Sequence, residues 1–233
     1  MTLAGKSTHV NNAPGRTASP TPGVSPQRVL PDTRAMPDDW VHLGRLWTNG
    51  DPYLAVDAAV RHLWLGFSED EYFDRIVDLG PEETGISLGE HTAAVVGADG
   101  VVRDDSWMEV FESPEGSIAI IQASGDDYRK TLTAALRYPG DSDDPGTTIH
   151  VRSGELAVFS AACDGAGEYS MTLRPALPGR APAEHGAPAR AADTGLLVKT
   201  RSTRYRVEAR SYTELDGASC FARWLLVPEQ PAP

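Results

Sequence analysis

Apolar and polar side chains alternate most strictly near the C-terminal end of the chain, where Tyr205, Val207 and Ala209 are interleaved with Arg204, Arg206, Glu208 and Arg210. Successive side chains of a strand point to opposite faces, so this segment predicts one dry and one wet face. Neighbouring segments share the β-forming composition: TTIHVR from 147, ELAVFS from 155, EYSMTL from 168, LLVKTR from 196 and CFARWLLV from 220. Shorter extended runs precede them, at 53–56 (YLAV), 86–88 (ISL), 92–96 (TAAVV), 107–112 (WMEVFE) and 117–122 (SIAIIQ). Each is bounded by Gly, Pro or Asp, the residues that stop strands and build turns.

Three segments carry helix signals instead. Asp57 can cap AAVRHLWLG, in which Val60, Leu63 and Trp64 share a helical face and Gly66 is the stop. Ser68 and Glu71 form the S-x-x-E capping-box pattern, followed by Tyr72, Phe73, Ile76 and Val77 as the apolar face. Ser124 and Asp127 repeat the signal ahead of Tyr128, Leu132, Ala135 and Leu136, with Pro139-Gly140 as the stop. The pattern predicts an α+β fold of short helices and antiparallel sheets, with a β-rich, sandwich-like C-terminal half.

Two segments lack apolar periodicity. Residues 1–36 hold five prolines among Gly, Ser, Thr and Asn and predict a disordered arm. Residues 177–195, LPGRAPAEHGAPARAADTG, have the composition of a flexible loop inserted between strands. One domain over 37–228 follows, with an α+β half at 37–146 and a β-rich half at 147–228.

Charge divides the chain along the same lines. Residues 37–150 carry 23 Asp and Glu against 7 Arg and Lys, whereas residues 1–36 hold one acid and four bases, and residues 151–233 nine and ten. A one-signed face attracts an opposite partner over roughly 8–10 Å and speeds association, so a basic partner is implied. The alternative is that the acidic surface only maintains solubility. The field opposes phosphate, and the stripe Arg201, Arg204, Arg206 and Arg210 lacks stacking aromatics, so it reads as a wet sheet face paired with the acidic half rather than a nucleic-acid site. No run approaches the ~20 apolar residues of a membrane span, and no apolar leader follows Lys6, which makes the cytoplasm the expected compartment. Cys163 and Cys220, with 56 residues between them, match neither a zinc site nor a disulfide framework.

The acids form no recognisable catalytic or metal-binding pattern. Gly85-Ile-Ser-Leu-Gly89 matches the G-x-S-x-G nucleophile elbow, but a β-like segment follows where a helix is needed, so Ser87 reads as a strand residue. Asp141-Ser-Asp-Asp-Pro-Gly146 begins like a calcium loop, yet Pro145 and Arg152 stand where oxygen ligands are required, and a solvated acidic turn is the better reading. Six dispersed histidines and the absence of phosphate-loop motifs give no case for a metal or cofactor. The five tryptophans read as core, with any exposed one amid carboxylates a potential interface anchor.

The order of several short motifs resembles the immunity protein 21 family of bacterial polymorphic toxin systems, over roughly residues 40–227. Trp40-Val41 opens it, and Gly50-Asp-Pro-Tyr-Leu-Ala-Val56, Leu63-Trp-Leu-Gly66, Glu69-Asp-Glu-Tyr-Phe-Asp-Arg75 and Gly85–Gly89 with Ala93–Gly97 follow. Glu155–Gly165 and Tyr205-Arg-Val207 close it. The chain departs from that pattern at Gly97-Ala-Asp-Gly100, at Ile120-Ile121 and at Ser160. The resemblance implies a non-catalytic antitoxin that binds and blocks a cognate toxin, with no cofactor. Joined to the charge pattern, it makes Glu69, Asp70, Glu71, Asp74, Glu82, Glu83, Asp104 and Asp105 the candidate partner-binding residues.

Overall fold

The computed structural model describes residues 39–80, 83–97, 105–140, 143–179 and 194–229. The predicted arm at 1–36 therefore lies outside the described residues, as does most of the predicted loop. Among the described residues there are twelve strands: β1 (Val41–Asn49), β2 (Tyr53–Asp57), β3 (Gly85–Leu88), β4 (His91–Val96), β5 (Asp105–Glu112), β6 (Ile118–Ser124), β7 (Asp144–His150), β8 (Glu155–Ser160), β9 (Thr172–Pro175), β10 (Thr194–Lys199), β11 (Arg204–Asp216) and β12 (Ser219–Pro228). Two α-helices join them, α1 (Asp70–Val77) and α2 (Tyr128–Arg137).

The strands build two six-stranded sheets, ordered β1-β5-β6-β12-β11-β7 and β3-β4-β2-β8-β10-β9. Every pairing is antiparallel except β9 with β10. The fold is thus a β-rich α+β fold. Each sheet takes strands from both sides of residue 147, so the sequence's acidic and neutral halves are interleaved. The half after residue 147 is β-rich as predicted, holding β8–β12 and most of β7 with no helix among its described residues, and its strands are shared between the two sheets.

One buried cluster draws on both sheets: Leu46, Met108, Ile120, Tyr205, Val207 and Trp224 from the first meet Tyr53, Val96, Leu156, Val158, Leu196 and Val198 from the second. Fully burying such side chains contributes about 1.5–3 kcal/mol each. Tyr205 and Val207 point into this cluster and Arg204 and Arg206 point out, as the alternation predicted. A second cluster, with Trp64 and Phe159, lies under α1. A third packs Tyr128, Leu132, Ala135 and Leu136 of α2 onto Phe111, Ala119, Ile121 and Phe221.

α2 forms where predicted, but its S-x-x-D box does not: Ser124 ends β6, and Asp127 is itself the N-cap, its carboxylate accepting from the Lys130 amide at 3.1 Å, while Tyr138 leaves the helix just before Pro139. Of the other two helical predictions, the first is corrected, and the second holds as α1 but not in its cap. Residues 58–66 form a turn with a single 3-10 turn at Arg61–Leu63, because Asp57 is the last residue of β2 and its carboxylate bonds the amides of Ala59 and Ser153. The capping box at Ser68 does not form. Glu69 is the N-cap without a side-chain cap bond, and the Ser68 hydroxyl donates to Asp164. On α1, Ile76 is buried and Tyr72 half-buried. Phe73 is also half-buried and packs with Tyr72 on the second cluster, whereas Val77 is 67% exposed and is not part of the apolar face.

The ends of the predicted loop are also ordered. The amides of Leu177 and Gly179 donate to the carbonyls of Leu43 and His42 on the edge of β1, and Thr194-Gly195 begin β10. Cys163 and Cys220 are not joined in a disulfide. Among the described residues no helix is long and apolar enough to cross a membrane.

Candidate functional site

Four of the eight candidate carboxylates gather at α1, Glu69 as its N-cap and Asp70, Glu71 and Asp74 within it, and the helix rises from a tightly tied corner. Trp64, fully buried, donates its indole N–H to the Ala161 carbonyl at 2.9 Å and stands edge-on to Tyr72 of α1. Two glycines permit this corner. A Cβ on Gly66 would lie 2.0 Å from the Ala161 carbonyl oxygen, and one on Gly165 would lie 1.8 Å from that of Arg61. Asp164 sits between the two chain segments and is 4% exposed. One carboxylate oxygen accepts from the amides of Phe67 and Ser68, both at 2.9 Å, and the other accepts from the Ser68 hydroxyl. Burial pushes the Asp164 carboxyl up, but these donors outweigh it and hold the group below the usual carboxylate range.

Glu69, Asp70, Glu71 and Asp74 are all exposed, and none forms an ion pair among the described residues. Asp70 and Glu71 occupy the first turn, where the helix dipole favours anions. The nearest bases are directed elsewhere: Arg75 donates to the Ser87 carbonyl at 2.5 Å and Arg61 to the Ala58 carbonyl at 3.1 Å. The structure therefore brings four of the eight candidates together. Glu83 is exposed, but its carboxylate accepts from the Gly80 amide at 2.7 Å in a separate turn. Glu82 and Asp104 lie outside the described residues, and so does the side chain of Asp105, which starts β5.

Exposed aromatics adjoin α1, although they are not tryptophans. Trp64, Trp107 and Trp224 are buried, and Trp40 and Trp47 are half-buried. Phe67, 56% exposed, stacks on Tyr169, 49% exposed, with ring centroids 4.5 Å apart and planes 26° apart. Sequence reading had no means of finding this pair, since 101 positions separate the two rings.

Part of the acidic excess turns inward. Glu109 on β5 is fully buried and accepts from Arg45 Nε at 3.0 Å, from a second Arg45 nitrogen and from the Tyr128 hydroxyl at 2.9 Å. His42 Nε2 lies 2.7 Å from its other oxygen and must donate there, because an ionised carboxylate only accepts. Burial pushes Glu109 up, but His42 and Arg45 outweigh it and leave the group below its ordinary value; the same burial and the Glu109 charge push the Tyr128 hydroxyl far above its own. Arg45 also stacks over Trp107, 4.3 Å from the ring centroid. This network ties β1 and β5 to the first turn of α2.

Asp143 corrects a second expectation. It is not a solvated turn residue: its side chain is fully buried between Arg210 Nε and Arg223 Nη2, both at 2.5 Å. Arg223 further donates to the carbonyls of Ala135 and Tyr138, satisfying the open end of α2. The basic stripe pairs with the acidic segment at two of its four positions, Arg201 with Glu112 and Arg210 with Asp143. Arg204 and Arg206 pair with Glu229 and Glu208. Ser87 lies within β3, opposite Thr92. Among the described residues no group of three or more His, Cys, Asp or Glu is placed to hold a metal ion.

No family model, curated protein or solved structure matches this chain.

Proposed function

We propose that the protein is a cytoplasmic, non-catalytic antitoxin of the kind the immunity protein 21 resemblance implies, and that it captures a basic toxin on the face formed by α1. The observation that carries this reading is the set of four exposed, unpaired carboxylates on one short helix, standing beside exposed aromatic rings. Charges of this kind govern encounter rate and register more than the lifetime of a complex. The two sheets with their shared core serve as a sandwich-like scaffold that holds the face rigid. A soluble interaction module, or a regulatory or phage protein, of unknown partner is the alternative, and gene neighbourhood separates it from the first reading, because an antitoxin gene adjoins its toxin gene.

The test is association of the purified protein with the product of the adjacent gene, followed by surface plasmon resonance at about 25 and 200 mM salt. Binding with an on-rate that falls with salt is expected. Replacing Glu69, Asp70 and Glu71 by Lys should slow association roughly tenfold or more at the lower salt. An unchanged on-rate in that variant would place the interface elsewhere, and absence of a complex at both salts would refute the proposal.

A further inference from the structure

Phe67 and Tyr169 are large rings left half in water, yet each is held by a well-bonded backbone. The Asp164 carboxylate fixes Phe67 through its amide, and the Asp164 amide donates to the Tyr169 carbonyl at 3.2 Å. Asp164 also bridges to Leu65 on one side and to Ser170 on the other. One buried residue thus grips both ring-bearing segments. Rings stacked at 4.5 Å by such a clamp lose little freedom on binding, which is how preorganised aromatic anchors gain affinity.

Carboxylates flank both rings along the chain. Glu168 precedes Tyr169, and Glu69, Asp70 and Glu71 follow Phe67; all four are exposed. An aromatic face is electron-rich, so a ring pair set among uncompensated carboxylates complements a cation and disfavours an anion. Arginine fits best, because its planar guanidinium stacks on rings while its N–H groups reach carboxylates.

We infer that the Phe67–Tyr169 pair is the anchor of the docking face, seating a cationic side chain, arginine by preference, from a basic protein partner. This rests on the binding function proposed above and adds the residues that determine how long the complex lasts. The aromatic pair controls dissociation, whereas the α1 carboxylates control association.

The experiment uses the full chain and the purified product of the adjacent gene. Phe67→Ala with Tyr169→Ala should weaken binding by roughly 30-fold, the size of an interface hot spot, mostly through faster dissociation. Tyr169→Phe, which keeps the ring, should bind like the parent. Because both rings are about half exposed, thermal unfolding of the double variant should stay close to the parent, and this measurement separates lost docking from lost folding. If the parent binds and the double variant binds equally well, the anchor is overturned while the antitoxin reading stands. If the parent does not bind, both fall.

Discussion

Glu109→Ala should destabilise the protein more than any surface substitution. The carboxylate is fully buried and takes donors from His42, Arg45 and Tyr128 on two other elements. Deleting it removes the acceptor 2.9 Å from the Tyr128 hydroxyl, which is 3% exposed as a residue, and the carboxylate charge that faces the Arg45 guanidinium. Breaking one side of a buried pair costs about 3–5 kcal/mol, and because the Arg45 side chain keeps 21% of its exposure the lower end applies, about 3 kcal/mol. For a domain of this size each kcal/mol lowers Tm by roughly 2–4 °C, so a fall of roughly 6–12 °C follows. Urea unfolding monitored by circular dichroism gives the same quantity independently. A loss below about 1 kcal/mol at pH 7 would refute the reasoning.

The pH dependence of that loss supplies a second check. Glu109 has its folded-state pKa lowered, so its contribution is fully present above the ordinary carboxylate range and is lost as pH falls through the folded value. The gap in stability between parent and Glu109→Ala should therefore be widest near neutrality and narrow under acid conditions. A gap that widens on acidification would contradict the assignment of an ionised Glu109.

Asp143→Ala should cost about 3–5 kcal/mol by urea denaturation, because Arg223 is 3% exposed and would lose its counter-ion; a change under about 1 kcal/mol would show that the pair is dispensable. Gly165→Ala forces a Cβ to within 1.8 Å of the Arg61 carbonyl and should cost at least about 1–3 kcal/mol while disturbing the nearby aromatic pair. A thermal transition like that of the parent would mean that the corner tolerates rearrangement.

Some of this architecture was readable from the chain because its causes are local. The alternation around Tyr205, the apolar face of α2 and the Pro139 stop each depend on residues within a few turns or one strand. β1 escaped notice for an equally definite reason. His42 pairs with Phe111 and Gly44 with Val110, so Leu43 is an extra residue in a bulge, and the buried Leu43 and Leu46 fall three apart instead of two or four. Gly44 has φ +153° at that bulge, and a Cβ there would press on Leu196 at 3.1 Å. Ser68 and Glu71 showed a genuine capping pattern, but a partner 96 positions away took the Ser68 hydroxyl.

Charge behaved in the same way. The sequence by itself determined the number of carboxylates between residues 37 and 150, the β-rich composition and the position of the better helix, because these depend on residue type and short-range spacing. Only the tertiary structure decided which carboxylates face water. Asp57, Glu109 and Asp143 are drawn inward by donors remote in sequence, whereas Glu69, Asp70, Glu71 and Asp74 stay exposed at α1, which turns only Ile76 fully into the core. The Phe67–Tyr169 stack belongs to the same category: it exists because Asp164 binds two loops together, and no local pattern encodes that meeting.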